Sequence, residues 1–148
     1  MKDYLINDDT LALFPLGKRK TVVYENDDCY IIDQKISKIM DDNCRYNGSS
    51  MEGRIKGTYD ICGFNYKAPI IVSENQPTIF FPTCSPRLKE CAWINSSNVN
   101  RIINQDEKCR IFFLNDESLE INATYRIIKN QYLKSLALKT SFKNRKNS

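Results

Sequence analysis

The sequence contains no histidine. This removes imidazole as base, acid or metal ligand, and with it Ser-His-Asp and Cys-His catalysis and ordinary catalytic zinc sites. Long hydrophobic runs are also missing: none approaches the roughly 18 residues that mark a membrane helix. The opening MKDYLINDDT is too acidic, and its apolar run too short, for a secretory signal. The six cysteines (Cys29, Cys44, Cys62, Cys84, Cys91, Cys109) include no C-x-x-C pair. With no histidine to complete a ligand set, neither a zinc site nor another cofactor is expected. Without an export signal the thiols read as reduced, mostly buried small hydrophobes, and the compartment as the cytoplasm. Paired carboxylates for acid–base work are absent too. Asp8-Asp9, Asp27-Asp28 and Asp41-Asp42 are sequence neighbours, which do not face each other in a helix or strand, so they read as solvated turn residues. No enzyme is expected.

The last absence is of acid near the C-terminus. From Ile121 to Ser148 there are seven basic residues (Arg126, Lys129, Lys134, Lys139, Lys143, Arg145, Lys146) and no Asp or Glu. The net charge of +4 therefore conceals a body with 15 basic against 18 acidic residues and a strongly basic end. Such an end attracts a polyanion, either nucleic acid or acidic lipid; the plain alternative is a solvated tail.

What is present fits a globular chain: 148 residues, 41% hydrophobic and 27% charged, enough for one core. No linker divides it, so one domain over residues 1–148 is expected. Short apolar runs predict strands at Thr10–Leu16, Thr21–Glu25, Cys29–Asp33, Ile70–Ser73, Thr78–Phe81, Val99–Asn104, Cys109–Leu114 and Ser118–Ala123. Cys91–Asn95 carries the only Trp. The spacing of Ile36, Ile39, Met40 and Cys44 predicts a short helix over Ser37–Tyr46. Thr124 is a suitable N-cap for a final helix, with Tyr125, Ile128, Tyr132, Ser135 and Leu136 as its buried stripe and a flexible basic tail from about residue 141. The fold class is α+β: mainly antiparallel β-sheet with short helices and a C-terminal helix.

Between the first helix and the strand at Ile70 lies an unusual block, Cys44-Arg45-Tyr46-Asn47-Gly48-Ser49-Ser50-Met51-Glu52-Gly53-Arg54-Ile55-Lys56-Gly57-Thr58. Ser49 followed by Glu52 resembles a capping box that opens a helix. Free amides at such a start favour phosphate, and Arg54 and Lys56 would supplement them. Gly53 and Gly57 oppose a helix by about 1 kcal/mol each, so the alternative is a glycine-rich connector packed on the sheet.

This block resembles the competence transcription factor family (ComK) of low-GC Gram-positive bacteria. The resemblance rests on Cys44-Arg45-Tyr46, Gly48-Ser49-Ser50, Gly53-Arg54 and Gly57-Thr58. It continues through Lys67-x-Pro69-Ile70, Phe81-Pro82-Thr83 and Trp93-Ile94, and more loosely at Phe113-Leu114-Asn115 and the start of the last helix. It implies a DNA-binding activator of competence genes that binds paired AT-rich boxes through the minor groove. The implied partners are a second copy of the chain in a homodimer or higher oligomer, RNA polymerase and a proteolytic adaptor. With that implication, Arg45, Ser49, Ser50, Arg54, Lys56, Lys67 and Arg87 become the expected DNA contacts, the cations for a narrow A·T groove and phosphate, the serines for phosphate.

Two departures qualify the expectation. Family members carry Arg-Lys where this chain has Arg54-Ile55, and the second cation here comes at Lys56, about 100° further round a helix. Typical members also continue past Ser148, in a segment linked to multimerisation and adaptor recognition. The alternative reading is therefore a shortened, non-activating paralogue that modulates a full-length member.

Overall fold

The computed structural model describes residues 3–146. Nine strands and three α-helices follow one another in the order β1 (Thr10–Leu16), β2 (Lys20–Glu25), β3 (Cys29–Ile32), α1 (Ile36–Tyr46), α2 (Met51–Cys62), β4 (Ile70–Ser73), β5 (Thr78–Pro82), β6 (Trp93–Asn95), β7 (Val99–Gln105), β8 (Lys108–Phe113), β9 (Ser118–Ile121) and α3 (Tyr125–Lys146). The expected α+β class is the one found: a six-stranded antiparallel sheet ordered β3-β2-β1-β6-β5-β4 and a three-stranded one ordered β7-β8-β9.

The larger sheet is the middle layer. Leu13, Val23, Ile70, Phe80 and Trp93 point to one face, where Ile39, Met40 and Cys44 of α1 cover them. Leu11, Ala12, Phe81 and Ile94 point to the other, against Ile111 and Phe113 of β8 and Ile128 of α3. Burial on both faces explains why β1, β4 and β5 read as nearly continuous apolar runs, with no polar alternation. Each such side chain contributes about 1.5–3 kcal/mol on burial.

Helix ends differ from expectation in two places. α2 does start at the Ser/Gly block, but its cap is Ser50: the Ser50 hydroxyl accepts from Gly53 N–H at 2.9 Å. With Ser50 as cap, the third helical position is Gly53, which has no side chain to complete a box, so Glu52 stays exposed. The helix ends at Gly63 (φ 77°), whose N–H donates to Tyr59 O at 2.7 Å in the left-handed turn that glycine tolerates best.

α3 begins as expected, with Ile127 N–H donating to Thr124 Oγ1 at 3.3 Å. It does not stop near Thr140, and Ser141–Lys146 is helical. Phe142 packs with Leu138 against Ile71 and Ile79, and the Arg145 guanidinium donates to Asp60 O at 3.0 Å. Its buried stripe is Ile128, Gln131, Ser135 and Leu138, while Leu136 is exposed. Residues 147 and 148 of the expected tail lie outside the described residues.

Candidate nucleic-acid interface

The serine–glycine block folds into the corner between α1 and α2, and its polar groups are largely spent within the chain. One Asp41 oxygen accepts from Met51 N–H at 2.8 Å, at the first position of α2, and the other accepts from Arg45 Nε at 2.7 Å. Asp41 is thus not a solvated turn residue but the anion on the α2 N-terminus, where amides and helix dipole favour one. The Arg45 guanidinium, with help from Met51 N–H, holds the Asp41 carboxyl below the usual carboxylate range. The place expected to take a phosphate is occupied by the protein's own carboxylate and the Ser50 hydroxyl.

Arg54 is drawn inward. Its guanidinium reaches Glu74 at 3.1 Å and Asn47 O at 3.3 Å, its side chain is only 13% exposed, and its Nε is buried without a partner. Arg45 stays exposed while paired to Asp41, Lys56 is exposed on α2, and Ser49 is half-buried with its hydroxyl turned to Ser50 O at 3.5 Å.

Lys67 stands elsewhere. It follows α2 in a positive-φ turn (49°), and its carbonyl accepts from Gln131 Nε2 of α3 at 2.8 Å. The same amide nitrogen donates to Pro82 O at 2.8 Å, so Gln131, buried, joins the turn at Lys67 to the end of β5. The loop carrying Arg87, itself exposed, leaves β5 just beyond that point.

Along this seam runs a groove of about 510 Å³ lined by Phe64, Lys67, Arg126, Asn130, Gln131 and Lys134 among others, with no carboxylate in its wall. Lys134 Nζ donates to Tyr66 O at 3.4 Å and lies 5.6 Å from the Phe64 ring centre, and Lys67 Nζ lies 5.3 Å from the Tyr66 ring centre. Partial burial and then the positive charge of Lys67 push the Lys134 ammonium below the usual lysine value. Two cations are therefore held close enough to repel, beside aromatic faces and within an acid-free wall. Three cations elsewhere are paired with carboxylates: Lys38 with Asp42 at 3.0 Å, and Lys108 and Arg110 with Glu120 at 3.3 and 4.0 Å.

Of the seven residues singled out from the sequence, the structure brings Arg45, Ser49, Ser50 and Arg54 together at the α1–α2 corner, whereas Lys67 lies on the groove beside α3. Arg126, Lys134, Phe64 and Tyr66 were not among them. The acid-free run from Ile121 was the signal for Arg126 and Lys134; nothing in the sequence marked the two aromatics. Among the described residues no cluster of three or more His, Cys, Asp or Glu is placed to hold a metal, and no helix is long and apolar enough to cross a membrane.

No solved structure matches the chain. The competence transcription factor of Bacillus subtilis (strain 168) is 30% identical to it over 149 aligned positions, which cover 98% of this chain and 78% of that protein. The ComK protein family matches residues 1–147. A match over nearly its whole length means that the chain belongs to the ComK family.

Proposed function

We propose that the chain is a competence transcription regulator that binds AT-rich duplex DNA, with the groove beside α3 as its principal anionic contact. The carrying observation is that Lys67, Arg126 and Lys134 border a cavity without a carboxylate, two of them mutually repelling. Closely held cations with no internal counter-charge are stabilised by a polyanion, and each phosphate they neutralise releases counterions. Arg87, exposed on the loop that follows β5, is a further phosphate contact in this reading.

Arg45, Ser49, Ser50 and Arg54 have a different part in this reading. They fix the α1–α2 corner, and Lys56 and the free edge of Arg45 remain as peripheral phosphate contacts. AT selectivity follows from cationic side chains entering a narrow minor groove, where the negative potential is deepest. The protein then acts in the cytoplasm as an activator, paired with a second copy on DNA, and leaves the chemistry to RNA polymerase.

The test is titration of an AT-rich and a GC-rich duplex at two or more salt concentrations, with the native protein and with Lys67→Gln/Arg126→Gln/Lys134→Gln. Tighter AT binding is expected from the native protein. In the variant the log–log salt slope should be shallower by roughly three, one phosphate contact per cation. Equal affinity for the two duplexes would reduce the interaction to bulk charge. An unchanged slope in the folded variant would remove the groove from the interface.

A further inference from the structure

The register of β5 and β6 continues beyond the strands themselves. Phe80 pairs with Asn95, Phe81 with Ile94 and Pro82 with Trp93. One step on, Thr83 N–H donates to Ala92 O at 2.9 Å and Ala92 N–H donates to the Thr83 hydroxyl at 3.0 Å. Thr83 and Ala92 thus share one backbone bond and one side-chain bond, and the next residues outward on the two segments are Cys84 and Cys91. Residues facing each other across antiparallel segments have Cα atoms about 4.5–5.5 Å apart, inside the span of about 4.4–6.8 Å that a disulfide bridges. The sulfur placement agrees: the Cys91 thiol donates to the Cys84 carbonyl oxygen at 3.4 Å. Access is unequal, since Cys84 is half-buried and Cys91 buried.

We propose that Cys84 and Cys91 form a reversible thiol–disulfide pair, oxidised by small-molecule disulfides of the glutathione type. The more accessible Cys84, as thiolate, attacks one sulfur of the oxidant and forms a mixed disulfide, releasing one thiolate. Cys91 then passes its proton to the thiolate released in the first step and attacks the Cys84 sulfur, displacing the second thiolate, which takes up a proton from water. Two protein thiols are oxidised and one disulfide is reduced to two thiols. The bond closes the loop Ser85–Glu90, now held by Leu88 N–H to Ser85 O at 3.0 Å and Cys91 N–H to Leu88 O at 3.2 Å. None of the other four thiols occupies such a cross-strand position: Cys29 is exposed on β3, Cys44 and Cys109 are buried in α1 and β8, and Cys62 ends α2. The inference concerns the thiols alone and stands apart from the DNA reading.

The test uses the native full chain, equilibrated across ratios of oxidised to reduced glutathione, quenched by alkylation and digested with trypsin. Cleavage after Arg87 and Lys89 separates the two cysteines, so they stay on one species only if bonded. The expected product is a Cys84–Cys91-linked pair of peptides that disappears on reduction and whose yield does not depend on protein concentration. Cys84→Ser should abolish it and leave Cys91 unmodified. Recovery of glutathionylated Cys84 with free Cys91 throughout the series would overturn the proposal, as would preferential linkage of either cysteine to Cys29.

Discussion

The α1–α2 corner and the groove beside α3 carry comparable positive charge and differ in what balances it. At the corner, Asp41 and Glu74 meet Arg45 and Arg54 at 2.7 and 3.1 Å. In the groove, Lys67, Arg126 and Lys134 line a wall without a carboxylate, and the Lys134 ammonium is destabilised by partial burial and then by the charge of Lys67. A cation supplied with an internal partner and buried becomes part of the framework. One left with only like charge around it keeps its attraction for an external anion. A basic residue's place in the sequence does not say which it is.

The contrast is open to attack from both sides. The largest expected effect is on binding. Removing the three groove cations together should cut affinity for an AT-rich duplex at low salt by far more than removing Arg45 and Lys56, as read by the salt dependence of anisotropy titrations. A bigger loss from the Arg45 and Lys56 changes would reverse the assignment.

Next is Arg54→Ala. Because Arg54 is nearly buried and joins Asn47 O to Glu74, its loss should cost about 1–3 kcal/mol in urea unfolding. The salt slope of DNA binding for the folded fraction should not change. A shallower slope at native stability would return Arg54 to the DNA surface.

Ser50→Ala should cost about 1 kcal/mol because it removes the α2 cap, whereas Ser49→Ala should cost much less. The two glycines divide similarly. An added Cβ at Gly57 meets nothing within 4 Å, so Gly57→Ala should stabilise by about 1 kcal/mol in thermal or urea unfolding. At Gly53 the Cβ would lie 2.8 Å from the Ser49 hydroxyl and 3.2 Å from the Ser50 hydroxyl that caps the helix, so Gly53→Ala should gain less or lose.

The smallest effect is on pH dependence. Asp41 titrates below its ordinary value in the folded protein, so it contributes stability that is present above the unfolded-state value and lost as pH falls through the folded one. Asp41→Asn should therefore flatten the acid limb of a stability–pH curve, with most of the difference below the ordinary carboxylate range. An unaltered acid limb would mean that Asp41 does not hold α2.

Much of the architecture was legible from local pattern. The runs at Thr10–Leu16 and Ile70–Ser73 became strands with those bounds, and the 3-4 spacing around Ile39 and Met40 gave α1. Thr124 capped α3 as its chemistry suggested. These features depend on neighbours within one or two turns, which the sequence displays directly. The end of α3 was not legible, because Phe142 is anchored by Ile71 and Ile79 from strands some seventy positions away. Nor was the choice between Ser49 and Ser50 as cap, since it depends on Asp41 from the preceding helix occupying the first amide.

The sequence by itself determined the composition of the site: no histidine, an acid-free basic end, and a Ser/Gly block between the first two helices. Tertiary structure alone decided which cations face solvent. Charge is a property of a residue, but its counter-charge is a property of whatever the fold places within a few ångströms. For Arg54 that is Glu74, twenty positions on; around Lys67 the groove wall offers no carboxylate, only the like charges of Arg126 and Lys134.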